Sequence, residues 1–225
     1  MCGRYANNAG REAIQKEFRV LIDESKSAPR YNIAPSQKID AVLNRDSETV
    51  LTELKWGLVP SWAKDAEIGS RMINARAETL PEKPSFREAF KRRRCIIPAT
   101  GFYEWQKTAG GKQPFYFYLT EKPLFGFAGL YEGWTDKQTG ELLETCAIIT
   151  TEANDVLRPV HDRMPVILKA DDYELWLDEK LKDQRQLEKL LAPYPAKEMS
   201  AHAVSRSVNI PDADSKELIA PVNSF

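Results

Sequence analysis

Between residues 11 and 22, Ile14, Phe18, Leu21 and Ile22 fall at i, i+4, i+7 and i+8. That spacing is one stripe of an amphipathic helix. Ser85-Phe86-Arg87-Glu88 has the serine-to-glutamate spacing of a capping box and predicts a short helix running to about Arg92. Asp171, followed by Glu174, opens another through Leu175, Trp176 and Leu177. A charged helix over 183–191 ends before Pro193.

Between these lie segments rich in β-branched and aromatic residues: 38–44, 49–55, 95–98, 102–107, 115–119, 124–130, 143–150, 164–168 and 200–204. Gly, Pro or Asp bounds many of them, as turns between strands require. Gly110-Gly111 sits between two aromatic-rich strands and predicts a hairpin across 107–113. Strands do not alternate regularly with helices. The pattern therefore predicts an α+β fold with a curved or barrel-like sheet rather than a doubly wound one. No repeat, linker or composition shift divides the chain, so residues 1–225 read as a single domain.

Composition narrows the functional classes. The chain is 225 residues, 42% hydrophobic and 29% charged, as a soluble globular protein is. It has no apolar run long enough to span a membrane, and the start, Cys2-Gly3-Arg4-Tyr5, carries no signal pattern. A cytoplasmic protein is expected. Cys2, Cys95 and Cys146 are too few and too scattered for a disulfide framework. With only His161 and His202, and no CxxC or HExxH, a zinc site is not expected. The net charge is −1 and the pI about 6.2, so any nucleic-acid binding has to come from a local cluster of Arg and Lys.

Candidate chemistry begins at Cys2. Removal of Met1 would give Cys2 a free amine beside its thiol, with reference pKa values of roughly 8 and 8.5. Such a 1,2-aminothiol traps aldehydes: the amine forms an imine and the thiol closes a thiazolidine ring. Position alone is weak support, since most second-position cysteines have no role. Glu104, in Gly101-Phe102-Tyr103-Glu104-Trp105, would share a strand face with Phe102 and Gln106. Among aromatics its pKa would rise, which suits proton transfer; a solvent-facing Glu is the plainer alternative. His161 lies between Pro159 and Pro165 beside Asp162 and Arg163. It either acts at neutral pH or bonds local backbone, whereas His202, in a β-prone run, reads as structural. Asn74 offers a donor and an acceptor without charge, with Arg76 on the same face if the segment is a strand; turn chemistry is the alternative. Lys91-Arg92-Arg93-Arg94 is the densest basic run, explained as well by a helix C-terminus as by phosphate contact. Trp56 and Trp62 flank a stiff Gly57-Leu58-Val59-Pro60 turn, where an aromatic could stack on a base or pack in the core.

Taken together, these segments resemble the SOS response-associated peptidase (SRAP) domain family, also called abasic-site processing proteins. The resemblance is carried by Met1-Cys2-Gly3-Arg4-Tyr5, Arg30-Tyr31-Asn32-Ile33-Ala34-Pro35 and Trp56-Gly57-Leu58-Val59-Pro60-Ser61-Trp62. It continues through Ile73-Asn74-Ala75-Arg76-Ala77-Glu78-Thr79, Cys95-Ile96-Ile97-Pro98, Gly101-Phe102-Tyr103-Glu104-Trp105, His161-Asp162-Arg163-Met164-Pro165 and Val204-Ser205.

The resemblance implies that Cys2 bonds the ring-opened aldehyde of an abasic deoxyribose in single-stranded DNA. Glu104 would transfer protons, Asn74 would orient the sugar and His161 would hold or protonate its oxygen. Arg4, Arg76 and Arg163 would meet phosphates, Trp62 would stack or wedge, and Ser205 would join the DNA-binding set. It implies a barrel-like sheet surrounded by helices, no metal or organic cofactor, no membrane partner and a monomer, cytoplasmic and associated with the nucleoid when bound to DNA. Ala63 stands where some family members carry a second aromatic. Two rival readings use the same residues or none of the chemistry. One is a thiol peptidase limited mainly to removing Met1. The other is a non-catalytic single-strand-binding module.

Overall fold

A computed structural model describes residues 2–181 and 183–222. In chain order the strands are β1 (Tyr5–Asn7), β2 (Ile22–Asp23), β3 (Arg30–Ile33), β4 (Lys38–Arg45), β5 (Glu48–Trp56), β6 (Asn74–Arg76) and β7 (Arg94–Ala99). They continue with β8 (Gly101–Thr108), β9 (Gly111–Leu119), β10 (Phe125–Thr135), β11 (Leu142–Glu152), β12 (Arg163–Pro165), β13 (Ile167–Leu168) and β14 (Met199–Ala203). The α-helices are short: α1 (Arg11–Glu17), α2 (Arg87–Arg92), α3 (Tyr173–Leu177) and α4 (Gln184–Lys189).

Five strands close on themselves. β4 pairs β5 and β7, β7 pairs β10, β10 pairs β11, all antiparallel, and β11 returns to β5 in parallel through Thr145↔Lys55 and Cys146↔Trp56. The ring is a mixed β-barrel, which leaves these strands no free edge where they pair. Its strands are apolar on both faces because both are covered. Ile39, Ala41 and Leu43, Cys95 and Ile97, and Cys146 and Ile148 belong to one core cluster. Their neighbours Val42, Ile96, Ala147 and Ile149 belong to another, which includes Ile14, Phe90, Trp176 and Leu187 from the helices. The first cluster also takes in Cys2, Tyr5, Phe102 and Phe117. It thereby joins the barrel to an antiparallel sheet of order β14-β9-β8-β1-β3.

The barrel-like α+β expectation holds, and each predicted strand segment overlaps a strand, with 164–168 divided between β12 on β11 and β13 on β10. The hairpin forms with Thr108 opposite Gly111, whose φ of +108° favours glycine. Two local expectations fail. The helix from residue 11 stops at Glu17; Arg19 turns left-handed at φ +52°, and the chain then lays β2 parallel to β5. Ile14 and Phe18 are buried as expected, but Leu21 is 71% exposed. Pairing with a sheet edge outweighs the last turn of the stripe. Ser85 does not cap α2 either. The N-cap position is Phe86 with no side-chain cap, and a turn gives Phe86 and Arg87 N–H to Lys83 O.

Candidate active site

Cys2 precedes β1 and is fully buried at the junction of the barrel core and the second sheet. Its neighbour is fixed by a chain of long-range contacts. The buried Trp56 donates from Nε1 to Ile73 O at 2.8 Å, and β6 runs parallel to β11 with Asn74 opposite Ile148. The segment expected to be strand or turn is therefore a strand. Asn74 Nδ2 donates to the Cys2 carbonyl at 2.8 Å. Asn74 Oδ1 is buried with no hydrogen-bond partner among the described residues, an acceptor or donor-seeking atom left over at the site. The turn that carries the chain from β5 to β6 depends on Gly57, at φ +136°. A Cβ there would lie 2.7 Å from Gly69 O.

Burial pushes the Cys2 thiol far up, the Glu104 charge adds to this, and the Arg4 backbone N–H opposes it. The thiol is therefore neutral in the folded chain. Glu104 comes from β8, where the expected alternation holds. Phe102 faces the main core, while Tyr103 and Trp105 face a separate cluster with Val204 and Val208. Glu104 is 4% exposed, and desolvation raises its pKa above the ordinary value, partly offset by the charge of His161. Arg163 N–H donates to His161 Nδ1 at 2.9 Å, which places the proton of the neutral ring on Nε2. The Asp162 carboxylate lies 2.9 Å from the same Nδ1 and becomes its partner only when the ring is doubly protonated. His161 thus bonds local backbone, as one of its two expected readings has it, and also lines a cleft with Glu104.

Glu104 and His161 line one cleft of about 820 Å³, with Trp105, Gln106, Lys107, Lys112, Pro159, Val160, Asp162 and Asn209. The structure brings Cys2, Asn74, Glu104 and His161 together through that hydrogen bond and these mutual charge effects. Such a group can hold an electrophile beside the Cys2 backbone and move protons to or from it. Among the described residues, no cluster of three or more His, Cys, Asp or Glu could hold a metal ion.

The residues expected at phosphates stand differently. Arg76 is exposed and opposite Thr150 on β11. Arg163 reaches Thr150 O at 2.6 Å and is held bidentately by Glu78 at 2.7 and 2.9 Å. A phosphate would have to share or displace that carboxylate. Arg4 spends Nη1 on Asn32 Oδ1 at 2.8 Å and Val208 O at 2.7 Å, tying the N-terminal segment to the chain near Val208. Trp62 is 58% exposed on the loop after β5, outside the lining of the cleft, and Trp56 is core. Ser205 caps a short 3₁₀ turn by accepting from Ser207 N–H at 3.2 Å. The basic run is structural at its end. Arg93 pairs with Glu132, and the buried Arg94 donates to the carbonyls of Phe90, Lys91, Trp176 and Asp178. His202, at Ile219 O and beside Tyr116 and Tyr118, is structural as expected.

Sequence reasoning missed Glu78 as the partner of Arg163, although it lies in the quoted Asn74–Thr79 motif. It also missed Asn209, whose Oδ1 accepts from Trp105 Nε1 at 2.7 Å. No local signal marks Asn209.

Residues 1–211 match the SOS response associated peptidase (SRAP) family. The chain is 47% identical over 222 residues to abasic site processing protein YoqW of Bacillus subtilis, covering 97% of this chain and 99% of that one. It is 31% identical over 264 residues to abasic site processing protein HMCES of Gallus gallus, covering 99% of this chain and 78% of that protein. A crystal structure of a Bacteroides thetaiotaomicron protein superposes with a TM-score of 0.90 at 29% identity, covering 99% of this chain and all of the other. With the family matched over nearly its whole length and the barrel shared with a solved relative, this chain belongs to the SOS response associated peptidase (SRAP) family.

Proposed function

We propose that this protein processes abasic sites in single-stranded DNA by joining Cys2, freed of Met1, to the ring-opened sugar. The observation that carries the reading is Asn74 fixed on the Cys2 carbonyl in electrostatic reach of Glu104 and His161. The names of the relatives, abasic site processing proteins, support the substrate.

The Cys2 amine adds to the C1′ aldehyde, giving a carbinolamine. Glu104, its acid form favoured by burial, protonates the departing hydroxyl, and water leaves with formation of the imine. The neutral thiol adds to the imine carbon as its proton passes to the nitrogen, closing a thiazolidine. One water is released and nothing is oxidised. His161 Nε2–H donates to the sugar oxygen, and Asn74 Oδ1 accepts from a sugar hydroxyl. A single strand suits this geometry because exposing the sugar costs less without a partner strand.

The test is incubation with single-stranded DNA carrying one abasic site, followed by denaturing electrophoresis. Wild type is expected to give a shifted band and Cys2→Ala none. Equal crosslinking by both would refute the aminothiol chemistry, and a sample whose mass still includes Met1 yet forms the same stable adduct would refute ring closure.

A further inference from the structure

Two parts of the chain take no part in the proposed chemistry: β3 and the irregular stretch 208–213. They meet at Asn32, which is fully buried. Its Nδ2 donates to Ala213 O at 2.7 Å and Ile210 O at 3.0 Å, with Val208 O at 3.3 Å. Its Oδ1 accepts from Nη1 of Arg4, two residues after Cys2, at 2.8 Å. One side chain thus grips three carbonyls outside both sheets, where backbone acceptors need such a donor. The gripped stretch carries Asn209, whose Oδ1 accepts from Trp105 Nε1 at 2.7 Å. Trp105 in turn gives its backbone N–H to the Glu104 carboxylate.

Strand pairing by itself stops short of the reacting groups. β1 pairs with β8 at Ala6↔Gly101 and Tyr5↔Phe102, and Tyr103 N–H then donates to Arg4 O at 3.0 Å. Continued, that register would set Gly3 opposite Glu104 and Cys2 opposite Trp105, but the ladder ends first. Asn74 ties Cys2 to β6, which leaves its distance from β8 to other contacts. A side-chain path spans the gap through Arg4, Asn32, the 208–213 stretch, Asn209 and Trp105. We propose that Asn32 is a positioning residue that holds Cys2 and Glu104 at their working separation through this path. The proposal rests on the function proposed above. Being fully buried, Asn32 touches no ligand and acts only through Arg4 at one end and Asn209 at the other.

The test is single-turnover crosslinking of abasic single-stranded DNA by wild type, Asn32→Ala, Asn209→Ala, the double variant and Arg94→Met. Arg94 bonds carbonyls around α2 and α3, off the path, and controls for lost stability. Circular dichroism at the assay temperature reports folding. Misplacing reacting groups by about 1 Å costs roughly 10²-fold in rate. Asn32→Ala is expected to lower the maximal rate by that order, with a smaller change in the DNA concentration for half-maximal rate. Asn209→Ala, at an exposed position, breaks only the outer link and should slow the rate less. Asn209→Asp keeps an acceptor for Trp105 and should restore it. The double variant should be no slower than Asn32→Ala, because links of one path are not additive. Arg94→Met should melt lower and keep the wild-type maximal rate.

A folded Asn32→Ala protein with the wild-type maximal rate would overturn the proposal, as would losses that simply multiply in the double variant. An Arg94→Met rate that falls as far as that of Asn32→Ala would make the loss one of stability and overturn it too. If Asn32→Ala does not fold, Asn209→Ala decides, and a wild-type maximal rate there removes the path. Wild type that fails to crosslink would refute the proposed function and the positioning with it. Normal crosslinking by wild type and both alanine variants would remove the positioning alone.

Discussion

Asn74→Ala separates positioning of Cys2 from binding of DNA. In the folded protein Asn74 Nδ2 donates to Cys2 O at 2.8 Å, so the amide holds the backbone of the residue proposed as nucleophile. Truncation removes that bond and leaves a buried carbonyl without its donor, a loss of about 1–3 kcal/mol. If the whole loss falls on the reacting geometry, the crosslinking rate drops roughly 5- to 150-fold, since each 1.36 kcal/mol is a factor of ten. The assay is single-turnover crosslinking at increasing abasic DNA, quenched and resolved on denaturing gels. A bond made to the protein affects the maximal rate, whereas a bond made to the sugar by Oδ1 also raises the DNA concentration for half-maximal rate. The expected result is a large fall in the first with a smaller rise in the second. Crosslinking at the wild-type rate by a folded Asn74→Ala protein would refute the positioning role.

Glu104→Gln should slow crosslinking about 10²- to 10⁴-fold, the usual contribution of a positioned proton donor. Its effect on stability has the opposite sign. The folded pKa of Glu104 is raised, so the native state binds more protons than the unfolded chain and wild-type stability falls as pH rises from the unfolded carboxylate value of about 4.3 through the folded one. Glu104→Gln is therefore expected to melt higher than wild type near pH 8, with the gap closing as pH falls toward 4; a constant gap in calorimetry across that range would contradict the assigned environment. Trp62→Ala, at a 58% exposed position, should leave the melting temperature unchanged and weaken single-strand affinity by about 1–3 kcal/mol if the ring stacks on a base; unchanged affinity in a binding titration removes Trp62 from the interface. Arg94→Met keeps the buried stem but orphans carbonyls at the ends of α2 and α3, and should cost about 3 kcal/mol in urea unfolding. A loss below about 0.5 kcal/mol would show that water replaces the guanidinium.

Much of the strand framework is legible locally, because alternation along a strand is enforced within two residues. Phe102 and Glu104 against Tyr103 and Trp105, the Gly110-Gly111 hairpin and the apolar runs of β7 and β11 all follow from neighbours in the chain. Cys2, Asn74, Glu104 and His161 could be named from the sequence, but only as residue types with plausible chemistry and a family resemblance. Their meeting is decided elsewhere. Cys146↔Trp56 closes the barrel and Ile148↔Asn74 sets β6 beside β11, in pairings between segments far apart in the chain. Those pairings bring Asn74 to Cys2, 72 residues away, and Glu78 to Arg163, 85 residues away. No local periodicity encodes which distant edge a strand will satisfy; that choice belongs to the whole core, as the early end of α1 in favour of β2 also demonstrates. The sequence by itself determined which residues alternate, turn and carry reactive groups. Only the tertiary structure decided which of them touch, because buried backbone and side-chain polar groups must find partners wherever the closed barrel places them.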